Sequence, residues 1–165
     1  MSVDRAVIDG LIRRYQDGPR LLGEALKEVP KEALRWRPAP GKWSVHEVIG
    51  HCADSETNSA IRIRYLIGED DATIMGYDQD RWAQRFDYHR MPLEVALAQV
   101  VMVRQWTTVF IKGLPLEAWG RAGTHSEMPG VKYTAAMWLE IYAEHLEIHA
   151  RQIRRNLDAW RAGGR

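Results

Sequence analysis

A chain of 165 residues with 45% hydrophobic and 27% charged side chains has the size and balance of one folded domain, large enough to bury roughly two-thirds of its unfolded surface without disulfides. Those values exclude a disordered, collagen-like or disulfide-framework chain, and the single cysteine, Cys52, fits a reducing cytoplasm. A net charge of +1 lacks the basic excess of a polyanion binder, and the longest apolar run, the nine residues Val95 to Val103, falls far short of the roughly 20 that span a bilayer, so neither nucleic acid nor a membrane is an expected partner.

The N-terminus shows no apolar core of a secretory signal, and the chain is expected in the cytoplasm. The first predicted helix runs from about Val3 to Lys27, with Val7, Leu11, Ile12, Tyr15, Leu22, Ala25 and Leu26 near helical spacing. Gly18-Pro19 interrupts it, and because proline removes a backbone hydrogen bond a kink or break is expected there. Pro30 to Pro40 reads as a connector. Ser44 followed by Glu47 is a capping box that starts the second helix, which continues from Val45 to about Ile67 and stops at Gly68.

Glu69 to Arg90 is polar and aromatic, with one short helix around Gln79 to Gln84. Pro92, a good first-turn residue, starts the third long helix, which carries Leu93, Ala96, Leu97, Val100, Arg104, Thr107, Phe110 and Ile111 before Gly113. Leu114 to Lys132 is loop-rich, and the fourth long helix runs from Thr134, a plausible N-cap, to about Trp160 before Gly163-Gly164. Nothing reads as an alternating strand. Four long helices in one chain without linkers or repeats predict an all-α four-helix bundle spanning residues 1–165.

On the fourth helix His145 and His149 are one turn apart, about 40° from each other on one face. They share an arc with Met137, Trp138, Ile141, Tyr142, Ile148, Gln152 and Ile153, while Glu140, Glu144, Glu147, Arg151 and Arg154 fall mostly elsewhere. Such a pair can converge on one metal ion; the competing reading is a pair of hydrogen-bonded core histidines. His46 and His51 on the second helix point about 140° apart. His51 borders the apolar arc beside Asp54, Ser55, Asn58, Arg62 and Tyr65, a stripe that is either a solvated face or the wall of a polar cleft, and His46 reads as exposed. His89 and His125 fall in loops.

The run Trp43-Ser44-Val45-His46-Glu47-Val48-Ile49-Gly50-His51-Cys52-Ala53-Asp54-Ser55-Glu56 resembles the W-S-x-x-E-x-x-x-H-x-x-D-x-E pattern of DinB-like (YfiT-type) proteins. His145-Leu-Glu-Ile-His149-Ala-Arg-Gln152-Ile153 is similar to that family's H-x-x-x-H-x-x-Q-I, and the Arg37-to-Lys42 connector and the Gly-Pro of the first helix agree with it. The resemblance implies a four-helix bundle that binds a divalent metal through His51, His145 and His149. It also implies a homodimer, which the seven tryptophans suit, and activity as a thiol-dependent S-transferase or metal-assisted hydrolase in detoxification or a stress response.

Three neutral imidazoles leave an open position for water or a substrate atom, the pattern of a catalytic site. All-nitrogen donors suit zinc, nickel, iron or copper; zinc and nickel are placed first and iron next. The partner implied is a small-molecule substrate together with a low-molecular-weight thiol. Leu146 stands where the zincin H-E-x-x-H motif needs a glutamate, and Glu147 lies about 200° from His145, so the fourth helix offers no general base. Asp54, Ser55, Asn58, Arg62, Tyr142 and Gln152 are the candidates for substrate contacts or support of the ligands. Of these, Arg62 suits an anionic group and Gln152 can orient an imidazole.

Cys52 reads as a small buried hydrophobe, Trp43 as a staple before the N-cap, and Trp82 and Trp119 as packing residues or the roof of a pocket. Two other classes compete with the enzyme: a non-catalytic metal or small-ligand binding bundle, and an interaction bundle whose histidines are core polar residues without metal.

Overall fold

The computed structural model describes residues 4–163. Its helices are α1 (Arg5–Lys27), α2 (Val45–Gly68), α3 (Gln79–Phe86), α4 (Leu93–Lys112) and α5 (Ala135–Gly163). The four long ones form the expected bundle, and α3 is the short helix of the second connector. The predicted start at Val3 and the second glycine of the terminal pair lie outside the described residues. No described helix is long and apolar enough to cross a membrane.

The caps are where local chemistry demands them. Ser44 Oγ accepts from the Glu47 amide at 3.2 Å and the Ser44 amide donates to Glu47 Oε2 at 2.8 Å, so both halves of the capping box are made. Asp78 accepts from the Arg81 amide to start α3, and Thr134 Oγ1 accepts from the Met137 amide to start α5.

Around the bundle α1 packs on α5 and α4, and α2 packs on α4 and α5. Two consecutive pairs, α1 with α2 and α4 with α5, therefore face each other across the diagonal. Residues 28–44 and 113–134 make the crossings, so long connectors are required by the topology.

The connectors 69–92 and 113–134 together hold a three-stranded sheet that the sequence did not announce. Strand β1 (Thr73–Ile74) pairs in parallel with β2 (Ala122–His125), with Thr73 opposite Thr124, and β2 pairs antiparallel with β3 (Tyr133–Thr134). Strands of two to four residues cannot display a period of two long enough to read.

Two apolar cores stack along the bundle axis. One gathers Ile8, Ile12, Ile63, Leu66, Trp119 and Trp138; the other gathers Leu22, Val48, Ile49, Cys52, Val100 and Ile153. Each fully buried large aliphatic side chain contributes about 1.5–3 kcal/mol, so these cores hold the helices together. Trp119 is fully buried in the first, as a packing residue.

Between the cores lies a charged layer. Arg104, 1% exposed, donates from Nε and Nη2 to both carboxylate oxygens of Glu56, itself fully buried. Its Nη1 donates to the Tyr15 carbonyl at 2.6 Å and its Nη2 also to the Tyr142 carbonyl at 2.8 Å. The Tyr15 carbonyl is the acceptor that a donor at position 19 would serve in a regular helix, and Pro19 has no N–H to give. Arg104 supplies the missing donor from across the bundle, and α1 runs unbroken through Pro19. Gly18 makes room: a Cβ there would stand 3.0 Å from Leu146 Cβ and 3.4 Å from Arg104 Nη1.

Candidate metal centre

α2 and α5 lie side by side, and their contact brings His51, His145 and His149 together, with one ring nitrogen from each within 4.8 Å of the others. On α5 the one-turn spacing sets His149 Nε2 3.2 Å from His145 Nε2. Nitrogens bound about 2.1 Å from a tetrahedral ion lie roughly 3.4 Å apart, so this pair is already spaced as ligands. His51 reaches them from α2, its ring centroid 4.9 Å from that of His149 and 5.5 Å from that of His145.

Hydrogen bonds on the far side of the rings fix how the pair presents itself. His145 Nδ1 lies 2.9 Å from Glu56 Oε1. Burial alone would raise the Glu56 carboxyl, but Arg104 and His145 outweigh it and bring it down to about 2, so Glu56 is ionised and accepts while Nδ1 donates. His149 Nδ1 donates in the same way to Gln152 Oε1 at 2.9 Å.

With both Nδ1 atoms committed as donors, the two rings aim Nε2 at each other, lone pair to lone pair when both are neutral. Only a proton or a cation between them makes that approach favourable, and only a cation also uses the third nitrogen. Burial and the two neighbouring imidazoles push His51 down to about 2; burial and His145 push His149 down to about 4 against the opposing Gln152 bond. Neutral rings are the form that ligates. His51 Nδ1 is buried without a hydrogen-bond partner, a penalty of about 1–3 kcal/mol that ligation through this nitrogen would offset, and Trp43 packs on the ring with centroids 4.7 Å apart. The donor set and its spacing fit a divalent ion.

The remaining sequence candidates divide. Ser55 is brought in, its Oγ 3.4 Å from His145 Nε2. Tyr142 is brought in beside His145, with its hydroxyl accepting from Arg62 Nη1 at 2.8 Å. Arg62 therefore stands next to the site, and Gln152 supports His149. Asp54 is engaged elsewhere: its Oδ2 accepts from the Tyr88 hydroxyl at 2.6 Å, and burial raises its pKa against that bond. Gly50 permits this contact, since a Cβ there would come within 2.7 Å of the Tyr88 ring. Asn58 donates to the Asp54 carbonyl and lines a groove without histidines on the other side of Arg62, which borders that groove as well as the site. Glu147 pairs with Arg14, as its position on the helix requires, and Cys52 is buried.

Two expectations are corrected. His46 is 6% exposed rather than solvated, because the segment at Tyr88–Met91 covers the first turns of α2 and the Met91 carbonyl accepts from His46 Nε2 at 2.8 Å. The arc around His145 is less inward than its apolar residues suggest, since Ile141 and Ile148 are exposed.

Sequence reasoning singled out neither Glu56 nor Arg104 as a supporting residue. The available signal was an arginine set among the apolar positions of α4, which needs a buried anion.

A small pocket of about 240 Å³ opens beside the imidazoles and is bounded by Ser55, Arg62, Tyr77, His125, Tyr142 and His145 among others. His125, left open by its place in a loop, enters it from the end of β2.

Comparison with known proteins finds relatives over most of the chain. A protein of Oceanobacillus iheyensis named "Putative metal-dependent hydrolase" is 28% identical over 152 residues, covering 92% of this chain and 87% of that one. A Bacillus cereus protein of the same name is 27% identical over 157 residues, covering 94% and 90%. The fold is similar to that of YfiT from Bacillus subtilis, described as "a probable metal-dependent hydrolase with an unusual four-helix bundle topology", with a TM-score of 0.87 and 24% identity over 99% of this chain and 91% of that one. The profile of the DinB superfamily matches residues 14–153, and the chain belongs to that superfamily.

Proposed function

We propose that His51, His145 and His149 hold one divalent ion, with zinc, nickel or iron the candidates, and that the chain uses it on a small molecule. The observation that carries this reading is the convergence of three imidazole nitrogens within 4.8 Å of one another. When bound with an open coordination position, the ion supplies a Lewis acid that polarises a substrate oxygen or activates a water or thiol nucleophile.

The chain's own residues do the rest. Glu56 and Gln152 hold two ligand rings in their tautomer and orientation. Burial keeps His51 and His149 neutral, and Ser55 Oγ offers a hydroxyl to whatever lies against His145 Nε2.

Hydrolysis is the reaction that the names of the relatives favour. A different observation favours transfer of a low-molecular-weight thiol to an electrophile. Glu56, the carboxylate that touches the imidazoles, is committed to Arg104 and His145 and is not free to act as a general base; a thiol of lowered pKa needs none.

Metal content of the purified protein by inductively coupled plasma mass spectrometry tests the site. About one ion per chain is expected, with the ion lost in His51→Ala and in His149→Ala. No metal after reconstitution overturns the reading. With metal in place, ester and amide substrates set against electrophiles plus thiols separate the two reactions, and turnover of neither leaves a metal-binding protein.

A further inference from the structure

The pocket beside the imidazoles carries a positive charge that pairs with no carboxylate among the described residues. Arg62 lines it and forms no ion pair among the described residues. Its guanidinium is nonetheless fixed: Nη1 donates to the Tyr142 hydroxyl at 2.8 Å, Nη2 donates to the Met75 carbonyl at 2.6 Å, and Nε is buried without a partner.

His125 stands on the same wall. Its Nδ1 accepts from the Glu127 amide at 3.2 Å, which makes the ring a neutral Nε2–H donor, and burial and Arg62 hold its pKa below the usual value against the pull of Glu127. The exposed Glu127 is the pocket's one acidic residue, and its carboxylate packs over Gly76 rather than on Arg62.

A cation held in place by neutral acceptors, next to a fixed N–H donor, is a preorganised anion site. Its planar fork suits a carboxylate. At about 240 Å³ the pocket is smaller than the roughly 300–1,000 Å³ of sites for drug-sized ligands, so it takes a short acid.

We propose that the Arg62–His125 pocket is a carboxylate subsite: the molecule acted on is a small carboxylic acid whose anionic end is read by Arg62 and His125 while its reacting end lies at the three histidines. The subsite deepens the metal-site reading and rests on it for the reacting end alone; the carboxylate end is a property of the apoprotein.

The probes that test it are 3-mercaptopropionate and its neutral amide, titrated by calorimetry and by NMR into metal-free protein and into protein loaded with zinc. The acid is expected to bind at least about tenfold more tightly than the amide in both forms, a preference of the size a charge-assisted contact gives. Arg62→Met removes the preference, Arg62→Lys retains part of it, and His125→Gln weakens the acid without affecting the amide, all with zinc content unchanged. Equal affinity for acid and amide in the native protein overturns the proposal, and so does an undiminished preference in Arg62→Met. Should Arg62→Met fail to fold, Arg62→Gln reads the same loss. A chain that takes up none of zinc, nickel and iron defeats the three-histidine site, yet the metal-free titration still decides the subsite.

Discussion

Two groups of histidines meet on α2, five positions apart, and they differ in where their nitrogens end. In the first, His46 Nε2 donates to the Met91 carbonyl and His89 Nε2 meets Ser44 Oγ, at 2.8 Å in each case. These rings tie a connector to the start of a helix. In the second, His145 and His149 use Nδ1 for protein partners and turn Nε2 toward each other and toward His51. Burial alone does not separate the groups, since His46 and His51 are both buried. A histidine whose nitrogens are satisfied by the chain is finished; one whose free nitrogen faces other free nitrogens is waiting for a ligand.

The groups also rest on different foundations. The first leans on the capping box and on Glu47, paired with the half-exposed Arg37. The second leans on Arg104 and Glu56 in the middle of the bundle. The largest effect that sharpens the contrast should come from Arg104→Met, which takes the guanidinium from the buried Glu56 charge and leaves the Tyr15 carbonyl without its donor. A loss of about 3–5 kcal/mol is expected, measured by urea unfolding. Glu56→Gln should lower metal affinity by about 10–100-fold, read by competition with a chelator. A loss below about 1 kcal/mol in Arg104→Met would mean the layer is not the foundation described.

That layer marks the limit of what the sequence discloses. The capping box and the histidine pair of α5 depend on neighbours within one turn, and both can be read from spacing. The fate of Pro19 cannot: the donor that rescues its helix sits on Arg104, far along the chain, so a kink or break is expected and the helix is found without a break. His46 looks solvated from its own helix because its cover arrives from the segment around Tyr88. Glu56 ends a recognisable motif, but its task becomes visible only once Arg104 and His145 meet it. Local rules give elements and caps; partners distant in sequence decide which polar residues are buried and what they hold.

Acid separates the two groups by pH. His149, at about 6.5 when unfolded and about 4 when folded, and His51, at about 2 when folded, take up protons more readily in the unfolded chain. Their contribution to the metal-free protein is complete above about pH 6.5 and is lost as pH falls toward 4 and below. Glu47 is raised by burial but more strongly lowered by Arg37 and Ser44, to about 2. Its contribution is complete above about pH 4.5 and is lost between there and 2. Melting temperature against pH should therefore fall in two stages. His149→Ala should shallow the first stage without abolishing it, since His89 and His125 are also depressed, and Glu47→Gln should shallow the second without abolishing it, since Glu56 is also held at about 2. A single transition below pH 4.5 would break the distinction.

His46→Ala should cost about 1–3 kcal/mol, because the Met91 carbonyl loses its donor under cover, and metal content should stay at the native level. Loss of metal in this variant would show that the two groups act as one site.

The smallest effect tests how independent they are. Ser44 accepts from the Glu47 amide and lies 2.8 Å from His89 Nε2, so Ser44→Ala removes one half of the capping box and the partner of one ring. Cap removal costs about 1 kcal/mol, seen as a shift of the urea midpoint with unchanged slope. The reciprocal bond from the Ser44 amide to Glu47 survives, because it uses backbone on one side, and keeps the loss from growing. His51 lies nearly two turns further along α2, held by packing against Trp43 and α5 rather than by the cap. Frayed first-turn residues should leave it in place, and metal content and affinity should match the native protein. A matching fall in metal affinity would mean instead that the helix start, and not the charged layer, sets the position of the third ligand.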